Sequence, residues 1–297
     1  MSLTLRRCVI VLLTLLLVLA GYLMRWDARV LLWWQESQSS AEQQAANLWL
    51  PGYQAVAQLE LPGYEKEEFS GLAYSAESDS LFAVSGKTPL LLELSREGRV
   101  LRRIELKGSA NLEGVAVLGD GYMAVADERQ HRLSIFRIDA ATRTVEPAQY
   151  LQQIDLGYAE DSNKGFEGLA WDARNQRFLL GKEKHPVQLF SLPAAGYRVS
   201  GPLQALTDLG GIMTDLAGLA VDPRSGHVLA LSQESHLLVE LGQDLQPSNF
   251  IALLRGLHGL QHYIPQAEGV ALDRDGNLYL VSERNLFYVF RKQPGAH

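Results

Sequence analysis

Three glutamates in this chain stand directly before a glycine and an apolar run: Glu113 in "NLEGVAV", Glu167 in "GFEGLAW" and Glu268 in "QAEGVAL". A second set closes the apolar strand that follows: "ADER", "GKEK", "SQES" and "SERN" contribute Glu128, Glu183, Glu234 and Glu283. Carboxylates packed at one place cannot all stay ionised unless positive charge sits among them. Lys182, Lys184, Arg129 and Arg284 could supply part of that charge, and a hard divalent cation could supply more. An oxygen-rich set with no cysteine and few histidines suits Ca²⁺ better than Zn²⁺. These glutamates are the candidate metal ligands. The competing reading is a polar ring, copied with the repeat and hydrogen-bonded to nearby backbone.

Other chemistry is sparse. His258 and His262 in "HGLQHY" have the spacing of one helical face, but "LLRG" before and "IPQ" after indicate a loop. His262 precedes Glu268 closely and is a weak candidate for a catalytic acid–base residue; loop packing is the plainer alternative. There is no GxSxG, no phosphate-cradling glycine loop and no CxxC pair, which disfavours a serine-nucleophile hydrolase. The net charge of −7 argues against a nucleic-acid partner, which needs a basic face. A single cysteine, Cys8, excludes an internal disulfide.

The elements that must carry the glutamates repeat. Five segments align on a glycine followed by an apolar residue and alanine: "FSGLAY" at Gly71, "LEGVAV" at Gly114, "FEGLAW" at Gly168, "LAGLAV" at Gly218 and "AEGVAL" at Gly269. The intervals are 43, 54, 50 and 51 residues. Each is followed by two further apolar strands, as in "YMAVADE" and "RLSIFRI", with turn residues such as "DPRSG" and "DRDGN" at the joints. More polar outer strands follow in four units: "RVLRRIEL", "QYLQQIDL", "LQALTDL" and "NFIALL". Four-stranded units of this period predict an all-β, five-bladed β-propeller. The fifth unit lacks an outer strand, and "YQAVAQLEL" (53–61) is spare at the other end. It is expected to close the fifth blade and remove a free edge. Glycine at the start of each inner strand permits close backbone approach around a narrow axis.

Strand two runs antiparallel to strand one, so both glutamate sets fall at one mouth of the channel. Where blades one and four have Ser70 and Ala217 in place of the glutamate, Glu68 and Asp215 stand two residues earlier. Residues two apart on a strand share a face.

The N-terminus is organised differently. Residues 1–7 are a short cytoplasmic terminus with Arg6 and Arg7, and residues 8–24 form an uncharged apolar run, expected to be a transmembrane signal-anchor. A cleaved signal peptide ending at "VLA" is the alternative. Trp26, Trp33 and Trp34 follow at interfacial positions. Residues 25–48 read as a juxtamembrane stalk holding the propeller, residues 49–297, off the membrane.

The ordered repeats, above all "IPQAEGVALDRDGNLYLVSERN", together with the N-terminal apolar run, resemble the SdiA-regulated (YjiK-like) family, distantly related to NHL-repeat propellers. The resemblance covers roughly Trp49 to the C-terminus. It implies a five-bladed propeller on an inner-membrane anchor, calcium near the channel, and no established reaction. Glu113, Glu167 and Glu268 match the family's repeated Glu-Gly positions; Ser70 and Ala217 break the five-fold pattern. Two functions are expected to compete. One is a monomeric, periplasm-facing binding module that receives a small molecule or protein at the channel mouth. The other is a calcium-dependent hydrolase of a lactone, ester or phosphoester.

Overall fold

The computed structural model of the chain describes residues 3–23, 25–157, 165–293 and 295. Five antiparallel sheets are arranged as the blades of a propeller. Blade 1 runs from the inner strand Phe69–Ser75 through Ser80–Ser85 and Leu90–Leu94 to Val100–Leu106. Blade 2 comprises Leu112–Gly119, Tyr122–Asp127, Arg132–Arg137 and Gln152–Asp155. Blade 3 comprises Phe166–Asp172, Arg177–Lys182, Gln188–Ala195 and Gln204–Asp208. Blade 4 comprises Gly218–Val221, Val228–Ser232, Leu237–Leu241 and Pro247–Ala252. Blade 5 has Gln266–Leu272, Leu278–Glu283 and Leu286–Lys292, and its outer strand is Tyr53–Glu60. That strand pairs antiparallel with Leu286–Lys292, from Tyr53 opposite Lys292 to Glu60 opposite Leu286. The ring therefore closes with the N-terminal strand, as the spare apolar segment predicts.

The second strands read as near-continuous apolar runs because both faces of each blade are covered. Ser80–Ser85 is buried along its whole length. Core clusters lie between adjacent blades: Leu231, Leu238 and Ile251 of blade 4 meet Val270, Leu280 and Phe290 of blade 5. Leu133 of blade 2 packs with Phe166, Phe178 and Phe190 of blade 3. The turns joining inner and second strands at the far end are held by aspartates. Asp172 accepts from the Asn175 amide at 3.1 Å, Asp222 from Arg224 at 3.1 Å, and Asp273 from Asn277 at 2.8 Å. One pairing escapes the repeat: Thr144–Val145, from the long third connection of blade 2, pairs parallel with the outer strand of blade 1. A two-residue strand carries no readable pattern.

Three helices precede the ring: α1 (Leu3–Leu23), α2 (Trp26–Ser37) and α3 (Ala41–Ala46). The segment expected to span a membrane, 8–24, falls in α1, except that Met24 lies outside the described residues. Arg6 and Arg7 are inside α1, so its uncharged part runs only from Cys8 to Leu23. That is short of the roughly 20 apolar residues a span needs. Among the described residues no helix is long and apolar enough to cross a membrane. The expected transmembrane helix is thereby corrected to an apolar N-terminal helix.

Residues 25–48 do not form a free stalk either. Helix α2 buries Ala28 and Leu32 to 1% exposure, and Leu32 joins the core cluster of blades 3 and 4. Glu36 lines a groove together with Phe250 of the outer strand of blade 4. The α3 helix opens with a capping box, in which the Gln43 amide donates to the Ser40 hydroxyl and the Ser40 amide to the Gln43 side chain. The chain then enters the ring through a buried clamp. Glu240, fully buried on the third strand of blade 4, accepts from the amides of Leu48 (2.9 Å) and Trp49 (3.2 Å). Asn249 accepts from the Leu50 amide at 2.8 Å.

Candidate metal centre at the channel mouth

The repeated glycine is explained by the neighbouring blade. A Cβ on Gly71 would lie 2.8 Å from the Glu113 carbonyl oxygen, one on Gly114 2.6 Å from that of Glu167, and one on Gly218 2.6 Å from that of Glu268. A Cβ on Gly168 would strike Leu219, and one on Gly269 the amide of Leu72 at 2.7 Å. Each inner strand therefore closes on the backbone of the next, around the whole ring. At four of these five contacts the glycine of one blade admits the carbonyl of the residue before the next blade's glycine, Glu113, Glu167, Glu268 or Ser70, so the glycine is needed whatever side chain that residue carries.

The glutamate side chains are directed by a local irregularity. In blade 2, Leu112 pairs with Asp127 but Gly114 pairs with Ala126, leaving Glu113 as an extra residue. The same bulge places Glu167 between Phe166 and Gly168, and Glu268 between Ala267 and Gly269. A bulge breaks the strict alternation of a strand and re-aims the extra side chain. Leu112, Phe166 and Ala267 thus stay buried, at 0%, 2% and 1% exposure, while the adjacent glutamate turns to the mouth.

Three of the candidates converge. Carboxylate oxygens of Glu128, Glu167 and Glu183 lie within 4.8 Å of one another. Glu128 reaches this point from blade 2, accepting from the Gly165 amide at 3.0 Å and the Asn111 side-chain amide at 3.1 Å. A Cβ on Gly165 would lie 2.5 Å from the Glu128 Cγ, so glycine is required there too. Glu183 meets the Lys184 ammonium at 3.1 Å, and the same ammonium donates to Glu234 at 2.5 Å. Glu234 is therefore drawn into an ion pair at the rim, bridging blades 3 and 4. Lys182 donates to the Lys184 carbonyl at 2.6 Å and feels the charge of Glu183, while Arg129 and Arg284 are exposed.

Glu113 and Glu268 flank the triad. Burial, chiefly, raises the Glu113 carboxyl to about 7, with the charges of Glu128 and Glu283 adding to it and the Ser70 hydroxyl opposing it. Glu167 is pushed well above the usual carboxylate range by burial, then by Glu268, Glu183, Glu113 and Glu128. Glu268 is pushed up likewise by burial, then by Glu283, Glu113, Asp215 and Glu183. Glu283 is raised by burial and by Glu68, which itself pairs with Lys87 at 3.3 Å. Glu113, Glu167, Glu268 and Glu283 are thus all raised, and they titrate as interacting groups. Asp215 is occupied otherwise, accepting from the Ser232 hydroxyl and from the amides of Gln233 (3.0 Å) and Glu234 (3.1 Å). Ser70, Asn111 and Gly165 are parts of the site that the repeat pattern did not single out. Their signal is positional: Ser70 stands where three blades have the glutamate, and Asn111 two residues before one.

An oxygen-only cluster of this kind, kept from full ionisation by burial and mutual repulsion, has two chemical capacities. It can hold protons, or it can exchange them for a hard cation with oxygen preference. Glu128, Glu167 and Glu183 would be the protein oxygens nearest such an ion. His262 is not joined to this cluster by any hydrogen bond among the described residues. It is exposed on the loop before blade 5, where Gln58 of the outer strand accepts from the Gln261 amide and Tyr263 packs edge-on against His236.

Beyond the glycine ring the channel changes character. Leu72, Val115, Leu169, Leu219 and Val270, one per blade, line an apolar cavity of about 290 Å³ that opens toward Tyr74 and Trp171. Among solved structures, a chain in the crystal structure of the nidogen/laminin complex is similar at 16% identity, with a TM-score of 0.46 and 72% of each chain covered. The family model described as SdiA-regulated matches residues 45–291, which span the whole ring, and the chain belongs to the SdiA-regulated family.

Proposed function

We propose that this protein is a calcium-binding propeller that acts as a ligand- or protein-binding module, held at a membrane by its N-terminal helix. The observation that carries the calcium reading is the convergence of Glu128, Glu167 and Glu183 from two blades, with Glu113 and Glu268 beside them. A cation there would relieve the repulsion that, together with burial, raises Glu113, Glu167 and Glu268, and would lock the mouth that receives the partner. The fold and the family support a binding module. Ring closure pairs the edge of blade 5 and supports a monomer. Exposed apolar side chains along α1, from Leu5 to Leu19, support membrane association. Arg6 and Arg7 beside the apolar side chains of α1 support attachment to the anionic headgroups of an inner membrane.

Calorimetric melting in calcium and in chelator tests the metal. At calcium about a hundredfold above its dissociation constant the folded state gains roughly 2.7 kcal/mol, because the unfolded chain cannot gather these oxygens. An identical melt in both conditions would remove the calcium reading.

A further inference from the structure

Helix α2 is amphipathic in an unusual sense. It buries only Ala28 and Leu32, and its indoles turn outward. The Arg29 guanidinium is half-buried and donates to the Ser235 carbonyl at 2.7 Å. Arg25, just before the helix, donates to the carbonyls of Gly210 (3.3 Å) and Gly211 (2.7 Å). On the side away from the buried Ala28 and Leu32, Trp26, Val30, Trp33 and Trp34 are 44%, 63%, 60% and 58% exposed, and Arg29 and Glu36 line the same groove as Trp26 and Trp33. A helix facing water would reverse this arrangement. Across a groove of about 460 Å³, bounded by Trp26, Trp33 and Phe250, stands the loop before blade 5. It presents Leu257 and Tyr263, 45% and 55% exposed, with Arg255 exposed beside them. Two segments more than two hundred residues apart in sequence thus build one apolar, aromatic-rich face on the flank of blade 4.

We propose that this face docks on a phospholipid bilayer surface, so that the propeller lies with the blade 4 flank against the membrane. Indole and phenol side chains with a polar tip favour the headgroup boundary, where one end is apolar and the other wet. An exposed arginine beside them suits anionic headgroups. Continuity fixes the occupant as lipid: the face begins where α1 ends, and the Trp26 ring packs 3.2 Å from where a Cβ on Gly21 would lie. Exposed apolar side chains of α1 reach Leu19, two residues before Gly21. This inference rests on the reading that α1 holds the chain at a membrane. It adds that the ring is oriented by a second contact and does not swing on a tether.

The test uses the full chain with Cys8→Ser and a single environment-sensitive fluorophore at Leu257→Cys or at Leu101→Cys. Leu101 is 54% exposed on the outer strand of blade 1, across the ring from blade 4. Both proteins are reconstituted in nanodiscs of phosphatidylcholine and phosphatidylglycerol. The docked arrangement gives a blue-shifted label at 257, with iodide quenching reduced several-fold relative to 101. Val30→Glu with Trp33→Glu should abolish that difference while the protein still co-elutes with the discs. Equal quenching at 257 and 101 in co-eluting protein overturns the docking face and leaves the anchoring role of α1 standing. Failure to co-elute overturns the anchoring role and the docking face with it.

Discussion

The carbonyl oxygen of Glu167 sits 2.6 Å from the position a Cβ on Gly114 would occupy. One residue thus sends its side chain to the acidic cluster and its backbone to the neighbouring blade. Gly114→Ala should push the two inner strands apart and cost about 1–3 kcal/mol, the range for overpacking a rigid contact. Chemical denaturation of the variant checks this. The same substitution should weaken calcium stabilisation, because it displaces the Glu167 bulge.

Glu167→Gln keeps the shape and removes the charge. Without calcium it should match or exceed wild type, since repulsion from Glu268, Glu183, Glu113 and Glu128 is relieved. With calcium it should lose most of the ion-dependent rise in melting temperature. Paired calorimetric scans of both proteins read the two effects separately.

Metal-free protein should lose stability as pH rises. The Glu113 carboxyl is raised from 4.5 to about 7 in the fold, so between those values the folded state holds a proton the unfolded chain has released. Its contribution is fully present below pH 4.5 and is lost as pH climbs through about 7. Glu167 and Glu268, raised in the same direction, extend that loss. Calcium competes with the protons, so its stabilisation should grow over the same range. Urea midpoints measured from pH 5 to 8, with calcium and with chelator, should diverge as pH increases. Parallel curves would contradict the coupling.

Lys184 holds Glu183 and Glu234 together across blades 3 and 4. Lys184→Met should destabilise the metal-free protein by about 1–3 kcal/mol, because the buried Glu183 loses one of its counter-charges. Adding Glu183→Gln should recover part of the loss. A double-mutant cycle on thermal stability gives the coupling.

The N-terminal truncations should separate clamp from closure. A chain lacking residues 1–40 keeps the Leu48 and Trp49 bonds to Glu240 and the outer strand of blade 5, so it should fold, with a lower melting temperature for want of Leu32. A chain lacking residues 1–60 exposes the ladder edge of Leu286–Lys292 and should aggregate. Size-exclusion chromatography and far-ultraviolet dichroism distinguish the two.

Much of the ring was legible in the sequence. Each inner strand carries its glycine and alanine, each second strand its unbroken apolar run, and Tyr53–Glu60 was the one strand without a home. These features are local: a blade must bury both faces, and a crowded axis admits no Cβ, whatever the neighbours are. The site was legible only as a pool of glutamates. Glu128, Glu167 and Glu183 converge while Glu234 is captured by Lys184, because the bulges and Gly165 set distances between blades, and a repeat pattern encodes no such distance. Helix α2 belongs to what reads as a juxtamembrane stalk until Leu32 is seen in the core of blades 3 and 4. The apolar run before it suggested a span, yet the uncharged part of α1, from Cys8 to Leu23, is not long enough to cross a membrane. The sequence by itself determined the number of blades, their closure and the chemistry available at the mouth. The tertiary structure alone decided which carboxylates meet and which helix face is left outward, because both depend on contacts between segments far apart in the chain.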